Sequence, residues 1–163
     1  MAELWDAYDV DFNKIENVTL VKGEEVPNGM YHLVCEVIVK HKDGTYLLMK
    51  RDPNKALGGK WEMSAGGSAI KGETPIECIT RELYEETGIA ETHFEDVELI
   101  THQGYRTHFA VFKCETGCNK DSIALQKGET VGYKWADRKT VAEMFPASFA
   151  FPKLVELALS SDI

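Results

Sequence analysis

Three glutamates within one short stretch, Glu82, Glu85 and Glu86, are the side chains of this 163-residue sequence best placed to do chemistry. At positions i, i+3 and i+4 they share one patch of any helix that carries them. Like charges crowded in this way repel and raise one another's pKa, so the patch is unfavourable unless a cation fills it. A donor set of oxygens alone selects a hard ion, Mg²⁺ or Mn²⁺. Such an ion can neutralise a bridging pyrophosphate, orient a chain of phosphates, and lower the pKa of a bound water until hydroxide attacks phosphorus. Phosphoryl transfer needs mostly that positioning and neutralisation. Immediately upstream, residues 66–73 read GGSAIKGE, a glycine-rich loop whose backbone can take φ > 0 and approach a ligand closely. Gly66 and Gly67 are therefore candidate contacts to a phosphate-bearing substrate, and Arg51, at the head of an earlier loop, is another.

The glutamates need a helix, and its ends are written locally. Thr74, Pro75 and Glu77 form a capping box with proline at the first helical position, and Gly88 supplies the stop. Ile76, Ile79 and Leu83 fall on one side at helical spacing and are the expected core face. Arg81 adjoins the glutamates, and its planar fork can hold a carboxylate in place, an orienting role. Glu73, at the start of the capped segment, is expected to fix the loop through backbone or arginine hydrogen bonds.

The run Gly67, five residues, Glu73, seven residues, Arg81-Glu82-Leu83, one residue, Glu85-Glu86, one residue, Gly88-Ile89 fills every fixed position of the Nudix box. The chain therefore resembles the Nudix hydrolases. The resemblance implies hydrolysis of a nucleoside diphosphate linked to another moiety X, with water attacking one phosphorus. It implies Glu82, Glu85 and Glu86 as metal ligands for Mg²⁺ or Mn²⁺, with one of them, Glu82 first, as base. A distal ligand or base is common in the family on the loop before a strand ending in tryptophan, and here Glu129 precedes Val131 to Trp135. Glu82, Glu85, Glu129 and the orienting Arg81 make up the expected catalytic set. Tyr105 stands roughly where dinucleoside polyphosphate-cleaving members stack a tyrosine on a base, although packing in the core is its commoner use. The proline that ADP-ribose-cleaving members carry shortly after the box is absent. Two rivals share the fold. The segments WDAYDVDFNK and GMYHLVCEVIV also resemble the isopentenyl diphosphate isomerase branch, but Ala65 and Gly67 stand where its cysteine and histidine are expected. A non-catalytic nucleotide-binding module would be expected to carry a degenerate box, and this box is intact.

Composition bounds the rest. The chain is 44% hydrophobic and 10% aromatic, which fits one globular domain over 1–163. It has no apolar run of the roughly 18 residues a membrane span needs. The acidic N-terminus lacks a signal-peptide pattern, so a cytoplasmic location is the default expectation. With 18 basic and 27 acidic residues the net charge is −9, which argues against binding a nucleic-acid duplex through its phosphates and favours a small phosphorylated substrate. Four scattered cysteines read as free thiols, and Cys114 and Cys118 lack a second pair or histidine at zinc-finger spacing.

Residues 1–30 are expected to form an N-terminal hairpin, Leu4 to Val10 with Ile15 to Val21, and Trp5 and Tyr8 on it mark the place to look for a homodimer surface. Strands are expected at Tyr31 to Val39, Thr45 to Lys50, Trp61 to Ser64, Val97 to Thr101, Tyr105 to Cys114 and Val131 to Ala136. Short helices are expected at Asp137 to Phe145 and Pro152 to Leu159. His102 and His108 flank a hairpin and could reach substrate, but exposed or hydrogen-bonded surface histidines are the commoner expectation, and Trp61 is expected to be core, with base stacking as its alternative. Interleaved strands and helices with a partly antiparallel sheet fit a mixed α/β fold, and the resemblance implies an α/β/α sandwich.

Overall fold

The computed structural model describes residues 1–160 and is organised around strand β3 (His32–His41). Its residues alternate between two cores: Cys35, Val37 and Val39 pack on one face of the sheet, Ile38 on the other. That period-two alternation requires helices on both sides. On the first face lies α1 (Pro75–Thr87), burying Cys78, Ile79 and Leu83; on the second lie α2 (Arg138–Met144) and α3 (Pro152–Ser160), burying Val141, Leu154 and Val155. The expected α/β/α sandwich is what the chain forms.

The remaining strands are β1 (Leu4–Tyr8), β2 (Lys14–Val21), β4 (Tyr46–Arg51), β5 (Trp61–Glu62), β6 (Ala65–Ser68), β7 (Glu95–His102), β8 (Thr107–Thr116) and β9 (Thr130–Ala136). The main sheet runs β5-β4-β3-β8-β7, with β6 also on β3 and β9 also on β4. β3 and β8 are parallel from His32 opposite Thr107 to His41 opposite Thr116, whereas the other strand pairs of this sheet are antiparallel, so the sheet is mixed. β1 and β2 form a separate two-stranded sheet with its own small cluster of Trp5, Ala7 and Leu20.

Helix α1 begins and ends as its sequence dictates. Thr74 accepts from the Glu77 backbone N–H (3.2 Å), Glu77 accepts from the Thr74 N–H (2.8 Å), and Gly88 closes the helix in the left-handed region. Ile76 departs from expectation and is 43% exposed, because the packed face begins a turn later with Cys78 and Ile79. The glycine-rich loop is also partly a strand: Ala65–Ser68 pairs with β3, Gly66 opposite Glu36 and Gly67 opposite Cys35. Neither glycine takes positive φ, although Gly72 does.

The hairpin differs in where its aromatic residues point. Trp5 is buried and stacks on His32 (centroids 4.3 Å), and Tyr8 bridges to Tyr31 and packs against the first core, so neither offers the dimer surface expected of it. Tyr105 sits in the turn before β8, 75% exposed and stacked on His102, and not in a strand or the core. His108, expected at the surface, is instead fully buried, because the rings of Phe12 and Tyr31 close over it. All four cysteines are free. Among the described residues no helix is long and apolar enough to cross a membrane.

Candidate active site

Glu82, Glu85 and Glu86 line one polar crevice of about 280 Å³ together with Gly66, Gly67, Ser68, Arg81 and Glu129. Two elements put them there. α1 presents the glutamates, and β6 brings its glycines against them because only glycine leaves room. A Cβ on Gly67 would collide with the Glu82 carboxylate, and one on Gly66 with the Glu36 carboxylate and the Cys35 carbonyl. The requirement is for space, not for an unusual backbone angle.

The glutamates grade from inside to outside: Glu86 is buried, Glu82 half-buried and Glu85 exposed. Glu86 accepts from the Gly66 N–H (3.1 Å). Burial, with Glu62 and Glu82 nearby, pushes its carboxyl up to about 8. Burial likewise raises Glu82, against the hydrogen bond and charge of Arg81. Arg81 is shared out among Glu73 (2.6 and 2.9 Å), Glu82 (2.6 Å), Glu85 (3.2 Å) and the Ser68 carbonyl (3.2 Å). Glu73 also accepts from the Ile70 N–H (2.9 Å). Burial alone would raise Glu73, but those bonds hold it below its ordinary value. Glu129, in the turn before β9, is ion-paired to Lys55.

Two expected substrate contacts lie outside this crevice. Arg51 is buried, ion-paired to Glu62, bonded to the Ala56 carbonyl (2.9 Å) and placed over the Phe151 ring (5.3 Å). Tyr105 lines a separate crevice with Trp5, His32 and Arg106. Conversely, the crevice holds Glu3, Lys22, Lys55 and Gln126, none of which spacing singles out. Glu36 was also missed. Burial raises its carboxyl well above the ordinary range, with Glu62 and Glu86 adding to the shift. A charged residue within the apolar run YHLVCEVIV was the available signal. Glu36 also lines an apolar cavity of about 260 Å³ on the α3 side of the sheet, with Ile100, Phe109, Val111, Phe151 and Leu154.

The donor chemistry fits a hard divalent cation: oxygen ligands only, two of the carboxyls raised chiefly by burial. As they stand, no three His, Cys, Asp or Glu side chains among the described residues are grouped to hold an ion. Arg81 draws Glu82 and Glu85, the Gly66 N–H holds Glu86, and Lys55 holds Glu129.

The chain is 36% identical over 88 residues to an uncharacterised Nudix hydrolase of Listeria monocytogenes, an alignment covering 53% of this chain and 52% of that protein. It spans about half the length of the curated relatives it matches. Among solved structures, a Deinococcus radiodurans protein superposes with a TM-score of 0.74 at 16% identity, covering 95% of this chain and 96% of that one. The NUDIX domain of Shewanella oneidensis NrtR, solved with ADP ribose, superposes with a TM-score of 0.64 at 18% identity, covering 80% and 87%. At such identities the likeness is one of fold. The family model of the NUDIX domain matches residues 30–155, which takes in β3, the glycine strand, the glutamate helix and Glu129. With the intact box and the fold, that match settles the family: the chain belongs to the Nudix hydrolases.

Proposed function

We propose that the protein is a metal-dependent pyrophosphohydrolase that cleaves a nucleoside diphosphate linked to a further group X. The observation that carries this reading is the single crevice in which the three box glutamates, the two glycines and Glu129 meet. Glu86, Glu82 and Glu85 would hold Mg²⁺ or Mn²⁺. When bound, that ion supplies charge neutralisation on the phosphates and a more acidic water.

The chain's own residues do the positioning. Arg81 fixes Glu82 and Glu85 relative to α1, and the Gly66 N–H fixes Glu86. The bare backbone at Gly66 and Gly67 lets a phosphate approach the helix. In the reaction a water oxygen bonds to phosphorus, its proton passes to a carboxylate, and the anhydride P–O bond breaks. We assign the proton first to Glu82, whose carboxyl burial raises and which lines the crevice, and Glu129 is the second position to test.

The test is a panel of nucleoside triphosphates, oxidised nucleotides, nucleotide sugars and dinucleoside polyphosphates, with and without Mg²⁺, alongside Glu85→Gln and Glu86→Gln. Metal-dependent cleavage of one member, lost in both variants, supports the reading and names X. A folded protein that binds Mg²⁺ and cleaves nothing favours a nucleotide-binding module instead.

A further inference from the structure

The polar crevice is lined by three cationic side chains, and they are not equally committed. Arg81 spends its fork on three carboxylates and a carbonyl. Lys55 has one carboxylate partner, Glu129, and Lys22 has one, Glu3, at 3.3 Å with its side chain 59% exposed. A single ion pair that solvent reaches, exposed at Lys22 and half-exposed at Lys55, holds its partner weakly, whereas charge-assisted bonds to phosphate are strong. An arriving phosphate can therefore take both lysines without dismantling the glutamate patch.

The two lysines come from different parts of the chain. Lys55 sits in the loop between β4 and β5, within the segment the family model matches; Lys22 directly follows β2 and lies outside it. The hairpin is nonetheless bolted to the box loop. The Leu4 carbonyl accepts from the Lys71 N–H (2.8 Å), Asp6 accepts from the Gly72 N–H (2.8 Å), and Lys71 reaches Thr19. The Lys22 N–H in turn donates to the Glu3 carbonyl (2.9 Å). Lys22 thus has a defined base from which to reach the crevice.

We infer that Lys22 and Lys55 are substrate-binding residues that hold the phosphate chain from two walls of the crevice, and that the N-terminal hairpin is part of the site. The ligand they fit is a diphosphate or longer phosphate chain, since a lone phosphate would leave one lysine with its glutamate. The inference rests on the pyrophosphohydrolase reading. Glu3 and Glu129 become place-holders that occupy the lysines until substrate arrives.

The probe is methylenediphosphonate, a diphosphate that water cannot cleave, titrated calorimetrically into the full chain with Mg²⁺; Mn²⁺ binding alone and the urea midpoint serve as controls. Lys22→Ala and Lys55→Ala should each weaken the probe about tenfold, the loss of one charge-assisted bond. Both should leave Mn²⁺ binding and the midpoint in place. For any substrate found, KM should rise with kcat within about twofold, as for a group that binds ground and transition states alike. Lys→Arg should restore most of the affinity, and Glu3→Gln, which frees Lys22, should tighten it, an effect a merely structural lysine would not show. Unchanged affinity in Lys22→Ala, with the wild type binding probe and metal, overturns the hairpin's part and leaves the hydrolase reading standing. A wild type that binds neither and cleaves nothing overturns both.

Discussion

Two buried polar centres lie in this fold, and they are built on opposite terms. His108, fully buried, has both ring nitrogens occupied, by Thr101 Oγ1 at 2.9 Å and the Asp9 carbonyl at 2.7 Å, and its faces covered by Phe12 and Tyr31. Glu86 has one backbone N–H and the charge of Lys55, which burial and the charges of Glu62 and Glu82 outweigh. The first is a satisfied group that holds the hairpin to the domain. The second is a carboxyl whose charge burial and neighbouring carboxylates oppose, kept in place by the rest of the fold, and such conflicts concentrate where function needs them. Buried polarity alone does not mark a site; a carboxyl raised by burial and by neighbouring carboxylates points to one.

The comparison is tested most severely by Glu86→Gln. Removing this carboxylate should lower kcat/KM roughly a hundredfold or more, since even outer partners of metal ligands cost 10- to 100-fold. The folded state should not suffer. His108→Leu should do the reverse: it strands the Asp9 carbonyl and the Thr101 hydroxyl and should cost roughly 2–4 kcal/mol in urea unfolding. Turnover per folded molecule should hold. If instead the histidine variant abolished turnover without destabilising the chain, the contrast between the two centres would be wrong.

The pH dependence sharpens the same contrast. The Glu86 value in the folded chain, about 8, lies above its ordinary 4.5, so the proton favours the fold. In metal-free protein this contribution is complete below 4.5 and is lost as pH rises through about 8. The urea midpoint of the wild type in chelator should therefore fall across that interval. Glu86→Gln should fall less, keeping a residual slope from Glu36, Glu62 and Glu82, all raised mainly by burial. Identical slopes in the two proteins would mean that Glu86 is not in conflict.

These centres were unequally legible beforehand. The ends of α1 were readable because Thr74, Pro75, Glu77 and Gly88 act on backbone within a few residues of themselves. The glutamate spacing was readable for the same reason. β6 was not, because Ala65–Ser68 is a strand by virtue of β3 beside it, against the preference of its glycines. The inward turn of Trp5 and the arrival of Lys22 and Glu3 in the crevice depend on contacts with residues far along the chain, such as His32 and Lys71, which no local pattern encodes. Ile76 shows the converse limit: helical phase names a face but not where along the helix packing begins.

The smallest expected effect concerns Asp6, a buried carboxylate that shares its charge with Glu86 and its satisfaction with His108. It accepts from the Gly72 N–H at 2.8 Å and pairs with Lys14 at 2.9 Å. Burial alone would raise its pKa, but those two partners outweigh burial and hold it below 3.8. Its contribution is thus present at neutral pH and lost as pH falls below that ordinary value. Asp6→Asn should cost about 1 kcal/mol at pH 7, a typical hydrogen bond's worth. The gap to wild type should close in acid, where both side chains are neutral. The Asp6 and Glu86 variants should then diverge from wild type at opposite ends of the pH scale, Asp6→Asn by losing stability at neutrality and Glu86→Gln by gaining it toward pH 8. Curves that diverged at the same end would show that partner count does not separate a structural carboxylate from a functional one in this fold.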